Sequence, residues 1–168
     1  MMIVLNLVHI LAGAFWAGAV IFLAAFVAPA VEAAGPAGGS FMQKLMNETR
    51  FSQAMALSGA LTVLSGLALY WFVSGHLSAA WILSGHGLAI TAGGIGGILA
   101  ALAGALISNR AAWKLNGLMA AVQAGGGEVT DAQAGEIAGL KSRLRTGSVA
   151  GALLVFVALT GMALARAI

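Results

Sequence analysis

The sequence predicts an all-α fold, namely an integral-membrane four-helix bundle built as one domain over residues 1–168. Hydrophobic residues make up 61% of the chain and charged residues only 8%, whereas soluble domains carry about 25% charged residues. The apolar residues form four blocks, each with the roughly 20 residues that a helix needs to cross a hydrocarbon core. No alternation of period two indicates strands, and backbone in lipid must satisfy its own hydrogen bonds, which favours helices.

Four spans are predicted, at about residues 3–31, 53–74, 80–107 and 147–165. The first is expected to end near Pro29. In the first loop, the later part predicts a short interfacial helix. In the loop between spans three and four, residues 110–124 are predicted to extend span three. Thr130 or Asp131 is then expected to cap a second, amphipathic interfacial helix that runs to about Arg145.

The distribution of positive charge predicts the orientation of the chain. The loops after spans one and three carry seven cationic side chains, which are Lys44, Arg50, Arg110, Lys114, Lys141, Arg143 and Arg145. The opposite side has only Arg166. The positive-inside rule therefore predicts a bacterial inner (plasma) membrane protein with cytoplasmic loops and both termini on the periplasmic or outer side.

Composition also argues against several classes of function. The chain has no cysteine, so it has no disulfide, no iron–sulfur cluster and no thiolate site. Its net charge of +3 is explained by the loops and does not indicate nucleic acid as a partner. No nucleotide-binding loop, catalytic triad or acidic proton path is present, which argues against an ATP-driven pump or a membrane protease.

Two histidines interrupt spans that otherwise lack Lys, Arg, Asp and Glu. His9 and His86 each lie about six residues inside the predicted outer boundary, a depth of roughly 9 Å. An ionisable side chain inside a membrane usually serves a function, although each imidazole could simply bind a nearby carbonyl. His76, in the outer turn between spans two and three, is a weaker candidate because the turn is exposed to solvent.

Imidazole is a common ligand of haem iron. The sequence therefore predicts a bis-histidine haem b near the outer face, with His9 and His86 as axial ligands. Gly13 and Trp16 beneath His9, and Gly93 beneath His86, are candidates for the walls of the ring pocket. The two glycines belong to rows of small residues at spacing four, and close helix packing explains such rows equally well.

Two further residues near the outer face complete the set of candidates. Arg166 could pair with a haem propionate, or simply anchor the C-terminus. Met162 offers a thioether at a similar depth, and thioether with imidazole suits Cu(I). A copper-handling or small transport protein that uses His9, His86 and Met162 is therefore the alternative function. A structural or accessory subunit, in which the histidines only bind carbonyls, is a third.

The first span resembles the opening helix of the copper resistance protein D-like superfamily. The matching residues are His9, Trp16, Gly18 and Pro29, and Trp81 opens the third span in a similar way. The plan is also similar to that of the J-type protoporphyrinogen oxidases, small four-helix membrane proteins with a histidine in the first helix and bound haem b. That family carries a lysine early in a later helix, and here His86 stands near its place. The resemblance thus implies haem binding. The absence of that lysine argues against protoporphyrinogen oxidation.

These observations lead to one expectation for function. Two strong axial ligands leave the iron no open position, so the predicted haem protein transfers electrons. A membrane quinone or a periplasmic redox protein would be its partner besides the lipid bilayer, and a homo-oligomer is compatible with the sequence. Whether the chain is an enzyme stays open, with a haem-dependent membrane oxidoreductase as the variant.

Overall fold

The computed structural model describes residues 1–167 and contains six helices. These are α1 Met2–Ala33, α2 Pro36–Asn47, α3 Phe51–Val73, α4 Ala79–Ile82, α5 Gly85–Ala124 and α6 Asp131–Leu164. No strand occurs in that range. Four of the helices, α1, α3, α5 and α6, are long and apolar enough to cross a membrane. The predicted all-α class is therefore confirmed, and four helices of spanning length suggest a multi-pass membrane protein.

The four long helices form two closely packed pairs. Helix α1 packs along α3, and α5 packs along α6, whereas the contacts between the pairs are much sparser. The pairs meet in a small buried core that contains Trp16 and Ala17 of α1, Ala100 of α5 and Val155 of α6. The core holds the two pairs together below the level of the histidines.

Helix α1 differs from the prediction at its end. It runs through Pro29 to Ala33, although the sequence predicts an end near the proline. A π-helical segment, Leu23–Val27, lies just before Pro29. Proline lacks an N–H and its ring crowds the preceding turn, and a π segment is one way in which a helix accommodates such a disturbance. Helix α5 has a second π segment, Gly104–Ser108, and both segments contact α6.

The region between spans three and four is a helical hairpin that extends the bundle. The predicted extension of span three is confirmed, and Thr130 is the cap of α6. Its side chain accepts from the Gln133 N–H at 3.3 Å, and the Gln133 side chain accepts from the Thr130 N–H at 3.0 Å. The predicted end near Arg145 is wrong, because α6 continues without a break for 34 residues to Leu164. No proline interrupts it.

Both helices of the hairpin are longer than the hydrocarbon core of a bilayer is thick. Helix α5 has 40 residues and α6 has 34, which correspond to about 60 Å and 51 Å, against a hydrocarbon core of about 30 Å. The two extensions bury Ala111, Val122 and Leu140. The segment predicted as a separate interfacial helix is therefore one end of a longer helix that packs against its neighbour.

The start of α5 also differs from the prediction. The sequence predicts one continuous helix from residue 80, but the structure has the single turn α4, a break, and a new helix from Gly85. Ser84 caps α5 by accepting from the Gly87 N–H at 3.1 Å and donates to the Trp81 carbonyl at 2.6 Å. A Cβ at Gly87 would overlap that carbonyl oxygen. The break thus requires glycine at this position, and it brings Trp81 next to the first turn of α5.

Candidate functional site

His9 faces α3 rather than the space between the two helix pairs. Its Nδ1 lies 2.9 Å from the carbonyl oxygen of Thr62 and 3.4 Å from the hydroxyl of Ser65. A Cβ at Gly66 would lie 2.8 Å from the imidazole Cε1, so the ring rests against a helix surface that has no side chain there. The imidazole is half-buried and ties α1 to α3.

His86 is held in the corresponding way by the other helix pair. Its Nδ1 lies 2.6 Å from the carbonyl oxygen of Ala165, at the end of α6. The edge of its ring meets Trp81, with centroids 5.8 Å apart and planes at 78°. His86 is half-buried and lies in the first turn of α5, where it ties the beginning of α5 to the end of α6.

These bonds determine the tautomer of both imidazoles. A carbonyl oxygen can only accept, so Nδ1 carries the proton and donates, and in the neutral ring the lone pair is on Nε2. Every enclosed side-chain nitrogen and oxygen of residues 1–167 has a hydrogen-bond partner. The Nε2 atoms, for which the same residues supply no bond, are therefore not enclosed. Metal-binding histidines commonly donate one ring N–H to a carbonyl and bind the metal through the other nitrogen.

The two histidines do not lie at the same depth. Ala17 and Ala100 belong to the same small core cluster around Val155, and we take them as the common reference level of α1 and α5. His9 lies eight residues before Ala17, and His86 lies fourteen residues before Ala100. The difference of six residues places His86 roughly 9 Å closer to the end of the bundle at which α1 begins, at 1.5 Å per residue. The equal depth predicted from the sequence is wrong because α5 begins at Gly85 and is offset against α1.

The residues predicted to line a ring pocket are in contact with neighbouring helices. A Cβ at Gly13 would lie 3.4 Å from the Thr62 methyl, and Trp16 packs its indole nitrogen 3.1 Å from the corresponding position of Gly59. A Cβ at Gly93 would lie 3.0 Å from the carbonyl oxygen of Ala158. Helix packing fills the space beside all three residues. A haem shared by both imidazoles, which also face different partners at different depths, does not fit this arrangement.

The remaining predicted residues lie at the end of the bundle where His86 is found. Arg166 follows Ala165 directly and is exposed. Met162 is half-buried and lies three residues before Ala165, on the same face of α6. His76 is exposed in the turn after α3, with a φ of 62°, and contacts the edge of Trp71. Among residues 1–167 no group of three His, Cys, Asp or Glu could hold a metal ion.

A polar and aromatic network beside His86 has no counterpart in the sequence prediction. The Tyr70 hydroxyl lies 2.7 Å from the Thr91 hydroxyl, and the Tyr70 ring meets the edge of Trp81 at 5.6 Å. The network connects the end of α3 to α4 and to the beginning of α5. The sequence does single out Tyr70, because it is the only tyrosine in the chain. Its partners could not be predicted, because they depend on which helices are neighbours.

Comparison of the chain with protein-family models, with curated proteins and with solved structures found no match. The two imidazoles, their carbonyl partners and the neighbouring Met162 are therefore the features from which a function is inferred. They lie in the half of the molecule that the sequence predicts to be the outer half.

Proposed function

We propose that this protein is a multi-pass membrane protein that binds a transition metal through Nε2 of His9 or Nε2 of His86, one histidine per metal, with haem b iron as the first candidate. One observation carries the proposal. Both imidazoles donate Nδ1–H to a backbone carbonyl of a neighbouring helix, at 2.9 Å and 2.6 Å. That bond fixes the orientation of the ring and leaves Nε2 as a lone-pair donor, which suits haem iron and copper alike.

The positions of the two imidazoles fit one histidine per metal rather than two. An iron with two imidazole ligands needs both rings at one level, whereas His9 and His86 are offset by roughly 9 Å and face different helices. A haem on this chain therefore takes one of the two histidines as its protein ligand. Such a haem would supply one-electron chemistry when bound, for an electron partner such as a membrane quinone or a periplasmic redox protein.

Copper handling is the second candidate, and the position of Met162 favours it. Met162 lies one helical turn from Ala165, whose carbonyl accepts from His86. Its backbone nitrogen would lie 3.3 Å from a Cβ at Gly93, so this turn of α6 is in close contact with α5 below His86. A thioether and an imidazole together form a soft donor set that suits Cu(I), and copper needs no ring-sized space.

The proposed membrane placement rests on the same features as the sequence prediction. The loops with seven cationic side chains would lie in the cytoplasm and both termini on the outer side of a bacterial inner membrane. His86 and Arg166 would then lie near the outer interface, where a periplasmic partner has access. The resemblance to the copper resistance protein D-like superfamily stays a prediction, and it is compatible with either metal.

The test is the absorption spectrum and metal content of the purified protein and of three variants. His9→Asn and His86→Asn keep an amide N–H that can replace Nδ1–H as the donor to the carbonyl but remove the Nε2 ligand. His76→Asn is the matched control, because His76 is exposed and makes no bond to another long helix. Haem predicts a Soret band that is lost in one of the first two variants and retained in the control.

Copper predicts a colourless protein whose copper content falls in His86→Asn and in Met162→Leu. Met119→Leu, on the distant extension of α5, is the matched control for the thioether. A protein without haem and without metal contradicts the proposal. Metal content that is the same in wild type, His9→Asn and His86→Asn contradicts it too, and would leave the histidines as structural hydrogen-bond donors.

A further inference from the structure

Helix α6 carries a shallow surface groove near the end where the cationic loops lie. The groove has a volume of about 340 Å³ and is lined by Arg145, Thr146, Val149, Ala150 and Leu153. Arg145, Val149 and Leu153 follow one another at spacing four, so they lie along one face of the helix on successive turns. Val149 is 48% exposed and Leu153 is 61% exposed. The short side chain of Ala150 leaves open space between the turns.

The groove is polar at one end and apolar along the rest of its length. Arg145 is exposed and is the only charged residue in the lining. Lys141 and Arg143 precede it on α6, and no carboxylate lines the groove. Glu136 is the nearest acidic residue before it on the helix, nine residues or about 13 Å away. The end of the groove is thus a local concentration of positive charge.

A second groove provides a useful contrast. It has a volume of about 440 Å³, and its lining includes Phe22, Phe26 and Phe41 but no charged side chain. Any acyl chain could occupy such a surface, whatever its headgroup. Of these two grooves, the one on α6 combines an apolar track with a cation at its end.

We propose that the α6 groove binds one anionic phospholipid, with the lipid phosphate at the Arg145 guanidinium and an acyl chain along Val149 and Leu153. The planar guanidinium matches two phosphate oxygens at once, which a lysine ammonium does not. The acyl chain packs by dispersion contacts along Val149 and Leu153, two side chains that the rest of the protein leaves exposed. Charge complementarity selects an anionic headgroup over a zwitterionic one, because the cations beside the groove have no opposing carboxylate in its lining.

The experiment measures lipid retention in four versions of the full chain. Wild type, Arg145→Gln, Arg143→Gln and Ala150→Leu are purified, incubated with dioleoylphosphatidylglycerol or dioleoylphosphatidylcholine, and analysed by native mass spectrometry. Arg143→Gln is the matched control, because it removes the same charge two residues away and outside the groove. Ala150→Leu fills the groove and keeps Arg145. Circular dichroism verifies that each variant retains its helices.

Wild type and Arg143→Gln are expected to retain phosphatidylglycerol in preference to phosphatidylcholine. Arg145→Gln should weaken phosphatidylglycerol binding about fivefold, the change that corresponds to about 1 kcal/mol for one interfacial cation. Ala150→Leu should weaken both lipids, because it obstructs the acyl track. Equal losses in Arg143→Gln and Arg145→Gln would reduce the effect to general surface charge and overturn the proposal. Equal retention of the two lipids by wild type, or full retention by Ala150→Leu, would overturn it as well.

Discussion

Replacing Gly161 by alanine should separate helices α5 and α6 at their closest approach. A Cβ at Gly161 would lie 2.7 Å from the carbonyl oxygen of Ala89, and 2.8 Å from both the nitrogen and the Cα of Gly93. Ordinary van der Waals contacts of a Cβ begin at 3.4 Å. All three neighbours are backbone atoms, which cannot rotate away as a side chain can. The two helices must therefore move apart by roughly 0.6 Å locally, in an interior that is close-packed.

The expected cost follows from two opposing terms. Overpacking of a filled interface typically costs about 1–3 kcal/mol. Alanine is up to about 1 kcal/mol more favourable than glycine within a helix, which offsets part of that cost. The net expectation is a loss of about 1–2 kcal/mol in the free energy of unfolding. A further consequence arises at Ala165, one turn away, whose carbonyl would move away from the imidazole of His86.

The assay compares Gly161→Ala with Gly94→Ala by thermal unfolding in the same detergent. Gly94 also lies within a long helix of this pair, but its Cβ position has no atom within 4 Å, so its variant should be unchanged or slightly more stable. Gly161→Ala should unfold at a temperature several degrees lower, at about 2–4 °C per kcal/mol for a chain of this size. If both variants unfold at the same temperature, the close approach of α5 and α6 is refuted.

Three further substitutions test other contacts. His86→Ala should lower the free energy of unfolding by about 0.6–1.7 kcal/mol, between the average and the largest value for interhelical hydrogen bonds in membranes. His86→Asn should recover part of that loss in the same unfolding assay. Tyr70→Phe removes the hydroxyl that meets Thr91 and should cost about 0.6 kcal/mol, while tryptophan fluorescence stays unchanged because the ring contact remains; a shifted emission would contradict this. Thr130→Ala removes the cap shared with Gln133 and should cost about 1 kcal/mol, seen as faster hydrogen exchange confined to the first turn of α6.

The four long apolar helices could be predicted from the sequence because one property, the length of an apolar block, indicates them. Thr130 could be predicted for a similar reason, since a cap is a local signal. The break before Gly85 could not be predicted, because residues 80–84 are as apolar as the helix that follows and the break depends on the fit of Gly87 against a carbonyl. The continuation of α6 past Arg145 was not predicted, because the composition changes there from polar to apolar. That change indicates a boundary between two helices, whereas the backbone of α6 is continuous.

The candidate site was less predictable, because it depends on which helices are neighbours. The residue types at His9, His86 and Gly93 were informative, but sequence spacing alone cannot say which helix a side chain faces. Gly93 lies against α6 at a distance that leaves no space for a ring. The open alternative between a packing surface and a pocket floor is thus decided in favour of packing at this glycine.

The hydrogen bonds of the two histidines suit a structural role and a metal-binding role alike, and substitution separates the two roles. A histidine that only joins two helices would donate Nδ1–H to a carbonyl, and so would a histidine prepared to bind a metal through Nε2. The first role needs only the Nδ1 proton, which an asparagine amide can replace. The second role also needs the Nε2 lone pair, which asparagine lacks. If His86→Asn loses most of its metal but little of its stability, His86 is a ligand. If it keeps both its metal and its stability, His86 is a structural residue whose hydrogen bond asparagine replaces.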